Sequence, residues 1–243
     1  MATEEVDSAA AVAAGDAGSI DNSHSGMLFD EAVISRHSTR LFLPKPVPDT
    51  ALQSALELAT HSPSNSNTQA WRLYVVTGAA LDRLKTALKT AATSDAAPNI
   101  PPLPEEFRPW RSDLGKAIYG EGWGIPRDDA EARKKAVLLN FDFFGAPVGM
   151  IVCMSKKLPG FAAMSVGMYL QTLLLALTDR GLGSCVQVSI AGYRDVVRQE
   201  VGVAEDLEIL CGVSVGYEDE AANVNKVRVK RLGFDETTVF VKD

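Results

Sequence analysis

Apolar residues recur along this chain with two different periods, and these periods predict a mixture of helices and strands. Apolar positions at helical spacing predict helices over residues 28–36, 49–59, 81–91, 128–144 and 161–178. Short runs rich in β-branched residues predict strands over residues 71–77, 147–154, 184–190 and 208–216. Because these elements do not follow a strict βαβ order, we expect an α+β fold in which helices lie on both sides of a central sheet.

The segment 161–178 is apolar on nearly every face of its predicted helix. A helix of this kind must be buried on every face, so we expect it to be covered by its own subunit and by a second copy of the chain. Gln171 and Thr172 interrupt the apolar run and no other candidate span occurs, which argues against a membrane helix. Gly181 follows the helix and is typical of a C-terminal cap.

The composition is that of an ordinary globular protein, and it excludes several classes of partner. Of the 243 residues, 46% are hydrophobic and 23% are charged, which predicts one domain with a full core. The net charge of −7 argues against nucleic acid and anionic membrane as partners, because both attract basic surfaces. The cysteines are widely spaced and the histidines have no pairing at metal-ligand spacing, so we expect neither a disulfide framework nor a metal site.

The first 27 residues differ in composition from the rest of the chain. They contain no Lys or Arg and are rich in alanine and acidic residues. Such a segment buries too little surface to fold, so we expect a disordered tail over 1–27 and a domain over 28–243. The lack of basic residues also argues against a secretory signal or a mitochondrial presequence, and the expected location is the cytoplasm.

A basic segment, Arg36-His37-Ser38-Thr39-Arg40, follows the first predicted helix. Two guanidinium groups stand four residues apart around a pair of hydroxyl groups. A phosphate monoester offers three acceptor oxygens, and a planar, permanently charged guanidinium can satisfy two of them at once. The segment therefore predicts a phosphate site, with a solvated basic helix end as the alternative.

Further along the chain, Asn65, Asn67 and Gln69 place three carboxamides in one polar loop. Amides donate and accept hydrogen bonds at once, which suits the acceptors and the donor at the pyrimidine edge of a flavin. The alternative is an ordinary turn, since Asn and Ser favour turns for backbone reasons.

The segment 225–231 alternates between polar and apolar residues and predicts a strand. In that strand Arg231 shares a face with Val227 and Val229. An Arg among valines either pairs with an anion or belongs to a charged edge strand, and the pattern leaves both interpretations open.

No common nucleotide-binding or catalytic motif occurs in the chain. Neither GxGxxG after a strand nor GxxxxGK[ST] is present, so a nicotinamide nucleotide would visit the protein rather than reside in it. No Ser/His/Asp or Cys/His arrangement is evident either. We therefore name no catalytic side chain.

Four motifs in one order carry a resemblance to a known family. They are RxSxR at residues 36–40, SPSxxNxQxW at 62–71, Gly-Leu-Gly-Ser-Cys-Val-Gln at 181–187, and Gly-Tyr-Glu-Asp at 216–219 followed by Asn225, Arg228 and Arg231. From about residue 28 to the C-terminus, the chain resembles the nitroreductase family of FMN-dependent oxidoreductases. The segment from 108 to 147 resembles the branch that includes nitrobenzoate and nitrobenzene reductases.

The resemblance implies a nitroreductase-like fold with a mostly antiparallel central sheet and an intertwined homodimer. Helix 161–178 would form the dimer interface, and the C-terminal arm 218–243 would wrap around the partner. The variable excursion 91–140 would cover the flavin, with Phe107, Trp110 and Trp123 as the wall of the substrate pocket. For each of these aromatic residues, local core packing is the alternative.

The resemblance also assigns an FMN site. The segment that contains Arg36, His37, Ser38 and Arg40 would hold the phosphate and the ribityl chain, joined by Arg231 as first choice and Arg228 as second. Further contacts would come from the amides of Asn65, Asn67 and Gln69 and from the backbone at Gln187, Val188 and Ser189.

The implied activity is hydride transfer from NAD(P)H, a transient co-substrate, through flavin N5 to a nitroaromatic, quinone or related small acceptor by a ping-pong mechanism. A specialised flavin oxidase, desaturase or dehalogenase of the same family is one alternative. A non-catalytic flavin-binding or carrier protein is another.

Overall fold

A computed structural model of the protein describes residues 26–94 and 98–242. The predicted disordered tail lies outside these residues except for its last two positions. The helices are Phe29–Ser35 (α1), Asp49–Ala59 (α2), Gly78–Thr93 (α3), Arg108–Gly115 (α4), Ala130–Leu138 (α5), Ala162–Asp179 (α6), Arg194–Val201 (α7), Asn223–Lys226 (α8) and Phe234–Thr237 (α9). The strands are Trp71–Thr77 (β1), Val148–Ser155 (β2), Gly183–Gln187 (β3) and Leu207–Gly216 (β4). Short 3-10 segments cover Asn65–Asn67, Glu105–Phe107, Leu139–Gly145 and Val188–Tyr193, and a π-helical segment covers Lys116–Gly122.

The strands form one sheet in the order β1-β2-β4-β3, and every neighbouring pair is antiparallel. Alternate residues of β2 enter two separate cores, as the two-residue period of a strand requires. Met150 and Val152 pack with α2 and α6. Ile151 and Cys153 pack with α3 and α7. The prediction of an α+β fold with a central antiparallel sheet between helices is therefore confirmed.

Three predicted elements are clearly shorter than expected or absent. The predicted helix 128–144 ends as α5 at Leu138, because a 3-10 segment with left-handed residues at Phe143 and Phe144 follows it. The predicted strand 184–190 ends at Gln187, and the chain turns so that Ile190 packs on Gly212, where a Cβ would lie 2.7 Å from the Ile190 side chain. The predicted strand 225–231 is wrong, because α8 and an irregular segment occupy it. There the side chain of Asn225 takes over backbone hydrogen bonds that a neighbouring strand would otherwise supply.

Helix α6 is buried against α2 and the sheet but is not covered on every face by its own chain. Met164 is 66% exposed, and Phe161 beside the helix start is also exposed. Helix α1 packs on α6 and carries Ile34, which is 81% exposed. Among the described residues, no helix combines the length and the apolar character needed to cross a membrane.

Candidate functional site

The basic segment 36–40 lies along the outer edge of β3. Ser38 forms a parallel bridge with Ser184, and the Thr39 amide donates to the Ser184 carbonyl at 3.0 Å. Thr39 is fully buried and fills the space left by Gly183, where a Cβ would lie 2.5 Å from the Thr39 hydroxyl. This contact fixes the backbone of the segment, while the side chains on either side remain partly exposed.

His37 and Glu218 form the polar contact that joins this segment to the end of β4. His37 Nε2 lies 2.9 Å from a Glu218 carboxylate oxygen, and His37 Nδ1 lies 2.9 Å from the Ser35 carbonyl. The Thr39 hydroxyl donates to the same carboxylate at 3.3 Å. Both ring nitrogens of His37 are therefore engaged by protein groups, which gives this residue an anchoring role within the segment.

The four candidate phosphate-binding arginines have no carboxylate partner within the described part of the chain. Arg40 donates to the Ser38 carbonyl at 3.2 Å, and the partly buried Arg36 has no described side-chain hydrogen bond. Arg228 and Arg231 donate to backbone carbonyl groups of their own segment. In a chain with 31 acidic and 24 basic side chains, such groups are available to an external anion.

Asn225 connects the basic segment with the C-terminal segment. Its side chain accepts hydrogen bonds from the amides of Arg40 at 2.7 Å and Leu41 at 3.2 Å. Its own carbonyl accepts from the Arg228 guanidinium at 2.6 Å. Asn225 thus links Arg228 to the Arg40 backbone, whereas the described hydrogen bond of the Arg231 side chain goes to the Val229 carbonyl of its own segment. Both arginines are exposed.

A cavity of about 560 Å³ lies between the basic segment and the start of β3. Its charged lining consists of Arg36, Lys45, His37, Glu218, Asp219 and Glu220. Because three carboxyl groups face this space, the cavity as a whole is not an anion site. The candidate anion contacts are the guanidinium groups themselves.

The carboxamide loop adopts a backbone conformation that most residues avoid. Ser66, Asn67 and Gln69 have φ angles of 50°, 52° and 45°, in the left-handed region. Such residues cost of the order of 1 kcal/mol each and are concentrated at binding sites. The Ser64 hydroxyl accepts from the Gln69 amide at 3.0 Å, and the loop presents its amide side chains to solvent.

This loop does not meet the basic segment within one chain. The Asn65 amide donates to the hydroxyl of Ser165 near the start of α6, whereas Thr178 near its end lines the cavity beside Arg36. Thirteen residues of helix separate Ser165 from Thr178, a rise of about 20 Å. The two predicted halves of the flavin site therefore lie at opposite ends of α6.

The residues after β3 divide into a buried anchor and an exposed segment. The Gln187 side chain is buried, donates to the Asn140 carbonyl at 2.6 Å and accepts from the Ser214 hydroxyl. Only the backbone of Gln187 remains for a ligand. Val188 is exposed, and the Ser189 hydroxyl is buried without a hydrogen-bond partner in the described chain, a condition that costs roughly 1–3 kcal/mol.

The three predicted substrate-wall aromatics lie on two parts of the excursion. Phe107 and Trp110 form an edge-to-face pair with centroids 5.6 Å apart, and both are exposed. Trp123 follows Gly122, which packs closely on Val224 in α8. The π-helical segment that ends at Gly122 is of a type frequent at functional sites. Trp123 therefore directly follows a residue that packs on the turn containing Asn225.

The buried thiols are poorly suited to nucleophilic chemistry. Burial raises the pKa of Cys153 to about 11 and that of Cys211 to about 12, with the nearby Cys153 adding to the shift at Cys211. Burial also raises the pKa of Cys185, although Arg40 and Ser38 oppose the shift. Residues 26–94 and 98–242 contain no group of three His, Cys, Asp or Glu side chains that could hold a metal.

Comparison with known proteins was made on the whole chain. The model of the nitroreductase family matches residues 33–217. The chain belongs to the nitroreductase family. It is 37% identical to a 4-nitrobenzoate reductase of Pseudomonas putida over 220 residues, which cover 85% of this chain and 96% of that protein. It is 34% identical to a nitrobenzene nitroreductase of Ectopseudomonas oleovorans over 225 residues, which cover 88% of this chain and 97% of that protein.

A solved structure of a nitroreductase resembles this chain over most of its length. The crystal structure of the FMN-dependent nitroreductase NfnB from Mycobacterium smegmatis in complex with NADPH superimposes with a TM-score of 0.82 at 38% identity. The match covers 88% of this chain and 97% of that one. The resemblance predicted from four motifs is therefore confirmed, together with the nitroreductase-like fold.

Several residues of the site could not be identified as such from their sequence pattern. Asn225 was included in a motif, but its pattern suggested a strand rather than a turn that holds the basic segment. Ser214 and Asn140 give no local signal for their contacts with Gln187. The predicted cofactor and substrate residues remain predictions at the level of individual contacts.

Proposed function

We propose that this nitroreductase is an FMN-dependent oxidoreductase that uses NAD(P)H to reduce a nitroaromatic, quinone or related small acceptor. The observation that carries the proposal is that Arg40 and Arg228, linked through Asn225, have no carboxylate partner among residues 26–94 and 98–242. A phosphate would satisfy these donors. The M. smegmatis relative is FMN-dependent and was crystallised with NADPH, which supports the same cofactor pair here.

The residues present fit FMN in three respects. Arg36, Arg40 and Arg228 offer charged donors to a phosphate, and the exposed amides of the 65–69 loop can address a polar ring edge. The buried Ser189 hydroxyl has no hydrogen-bond partner in the described part of the chain, and a ligand could supply one. When bound, FMN would accept hydride from NAD(P)H and pass it to the acceptor. The chain would bind and orient the reactants, and the exposed Val188 would offer an apolar contact beside the ring.

We propose further that the site is completed by a second copy of the chain in an intertwined homodimer. The separation of about 20 Å along α6 places the carboxamide loop far from Arg36 within one chain. Exposed apolar residues on α1, α6 and the C-terminal arm, such as Ile34, Met164 and Val241, favour burial by a partner. In this arrangement the loop of the second copy faces the arginines of the first, and residues 218–243 extend over that copy.

The remaining assignments follow from this function. Residues 28–243 would form the catalytic unit, and the excursion 91–140 would shape the acceptor pocket through Trp123 and the exposed pair of Phe107 and Trp110. A cytoplasmic location would supply reduced nicotinamide. Desaturation and dehalogenation are tested by the choice of acceptor, and a non-catalytic flavin carrier is the outcome if no acceptor is reduced.

The deciding experiment measures flavin reduction and reoxidation directly. Purified protein is expected to carry FMN, and anaerobic addition of NADH or NADPH should bleach the flavin absorbance. Adding 4-nitrobenzoate, nitrobenzene or a quinone should restore it, and initial rates at several acceptor concentrations should give parallel double-reciprocal lines. A flavin that stays oxidised with both nucleotides would support the carrier instead, and a protein that binds no FMN would contradict the proposal altogether.

The shared site is tested by complementation between two inactive variants. Arg40→Ala damages the basic segment and Asn67→Ala the carboxamide loop, so each homodimer contains two damaged sites. A mixed dimer would contain one intact site and one doubly damaged site, because the two sites of a twofold dimer are built from the same pair of surfaces. Random mixing should restore about one quarter of the wild-type FMN content. No restoration would mean that each site is built from one chain.

A further inference from the structure

We propose that Asn225 is a positioning residue for the phosphate-binding arginines: its side-chain amide fixes the backbone that carries Arg40, and its carbonyl accepts a hydrogen bond that orients Arg228. The inference rests on the FMN site proposed above. It assigns a role to a residue that would not itself touch the cofactor. Phosphate affinity would therefore depend on a side chain that carries no charge.

The Asn225 amide uses its complete hydrogen-bonding capacity. Its Oδ1 accepts from two backbone amides, those of Arg40 at 2.7 Å and Leu41 at 3.2 Å. Its Nδ2 donates to two backbone carbonyls, those of Leu41 at 2.8 Å and Asp219 at 3.0 Å. The residue is only 1% exposed, so water cannot replace these bonds. Four directional contacts determine the orientation of the amide, because exchanging its oxygen and nitrogen would place its N–H donors against backbone N–H groups and its oxygen against backbone carbonyl oxygens.

These bonds act on the part of the basic segment that the sheet does not hold. Thr39 is bonded to β3 and Phe42 is bridged to Glu218, but the amides of Arg40 and Leu41 lie between these two attachments. The side chain of Asn225 supplies their acceptor. The Leu41 carbonyl is also held by the Asp219 amide at 3.1 Å, so loss of the Asn225 acceptor would free the Arg40 amide in particular. The direction of the Arg40 guanidinium would then vary.

Asn225 also holds the second cation of the group. The Arg228 guanidinium donates to the Asn225 carbonyl at 2.6 Å, three residues along the chain. One residue therefore links the backbone of Arg40 and the side chain of Arg228. A pre-arranged pair of guanidinium groups binds a phosphate more tightly than two mobile ones, because less side-chain freedom is lost on binding.

The test compares FMN with riboflavin, which lacks the phosphate, on apoprotein prepared from the full-length chain. Asn225→Asp keeps the shape of the side chain but loses both donors and opposes a carboxylate to two carbonyl oxygens. We expect the dissociation constant for FMN to rise about 30-fold, while that for riboflavin changes less than about threefold. The preference for FMN over riboflavin should fall accordingly.

A matched control separates this effect from that of added charge. Asn223→Asp places the same carboxylate in the same turn, at an exposed position for which no side-chain hydrogen bond is described. It should retain the wild-type preference for FMN. Asn225→Ala provides a second variant without added charge, and it should also lose the preference.

The outcomes distinguish this inference from the proposed function. A wild-type protein that binds FMN no better than riboflavin would overturn the phosphate site and the inference with it. A wild-type preference that persists in both Asn225 variants would overturn the positioning role alone. If both variants lose affinity for the two flavins equally, or fail to give the far-ultraviolet spectrum of the wild type, Asn225 supports the fold and the inference is wrong.

Discussion

Replacing Arg40 with alanine should separate flavin affinity from stability. Among the described residues, the Arg40 side chain makes one hydrogen bond, to the Ser38 carbonyl at 3.2 Å, and no ion pair with a carboxylate. The free energy of unfolding of the apoprotein should therefore fall by less than about 1 kcal/mol. The loss should appear instead in FMN binding.

The magnitude follows from the position of the guanidinium. Two unit charges about 4 Å apart interact by about 4 kcal/mol at an effective dielectric constant of about 20. Arg40 is partly exposed, so solvent screening reduces the contribution, and we take about 2–3 kcal/mol for the contact with a phosphate. This corresponds to a rise of about 30- to 150-fold in the dissociation constant for FMN.

The assay is titration of apoprotein with FMN, followed by flavin fluorescence at low and high salt. Arg83→Ala is the matched control, because Arg83 is exposed on α3 and donates only to the Ala79 carbonyl. Arg40→Lys should bind with intermediate affinity, since it retains charge but not the bidentate geometry. Unchanged affinity in Arg40→Ala, or an equal loss in Arg83→Ala, would refute the assignment of the phosphate to this segment.

Three further predictions concern the excursion, the dimer and the buried thiols. In Gly122→Ala the new Cβ would lie 3.0 Å from Val224 Cα, so the turn should shift and the FMN affinity measured by titration should fall several-fold. In the control Gly120→Ala the new Cβ would meet no atom within 4 Å, and FMN affinity should equal that of the wild type. Met164→Glu places a charge on an exposed apolar face, and light scattering should detect a monomer near 26.0 kDa without FMN. Burial raises the Cys211 pKa from 9.0 to about 12, so the contribution of the neutral thiol to stability is present below pH 9 and is lost as the pH rises towards 12. In urea unfolding, the free energy of unfolding of Cys211→Val should therefore fall less between pH 9 and pH 12 than that of the wild type.

The regular elements could be predicted from the sequence because their signals are local. Strand β1 occupies the predicted residues, and helices α2 and α6 lie within one residue of their predicted ends. Helix α4, which begins at Arg108, was not among the predicted helices. Pro109 stands in its first turn, where backbone N–H groups have no intrahelical partner, so the proline does not disrupt the helix.

The geometry of the candidate site could not be predicted in the same way, because its decisive contacts join distant parts of the chain. His37 and Glu218 are separated by 181 positions, and Arg40 and Asn225 by 185. No periodicity connects such pairs, and the local alternation at 225–231 even favoured the wrong element. The order of the four motifs contained the information that periodicity lacked, since each motif supplies one side of a long-range contact.

The geometry of the exposed carboxamide loop could not be predicted from local sequence patterns either. Its left-handed residues, Ser66, Asn67 and Gln69, are held in an unfavourable conformation, yet within one subunit their side chains face solvent. Backbone strain of this kind persists where surrounding contacts require it and is concentrated where a ligand is bound. The arginine segment of the same chain lies at the other end of α6, so the proposed dimer would give this conformation a function by placing the loop beside the arginines of a second copy. The sequence pattern predicts these residues as ligands, but no local pattern describes the assembly in which they would act.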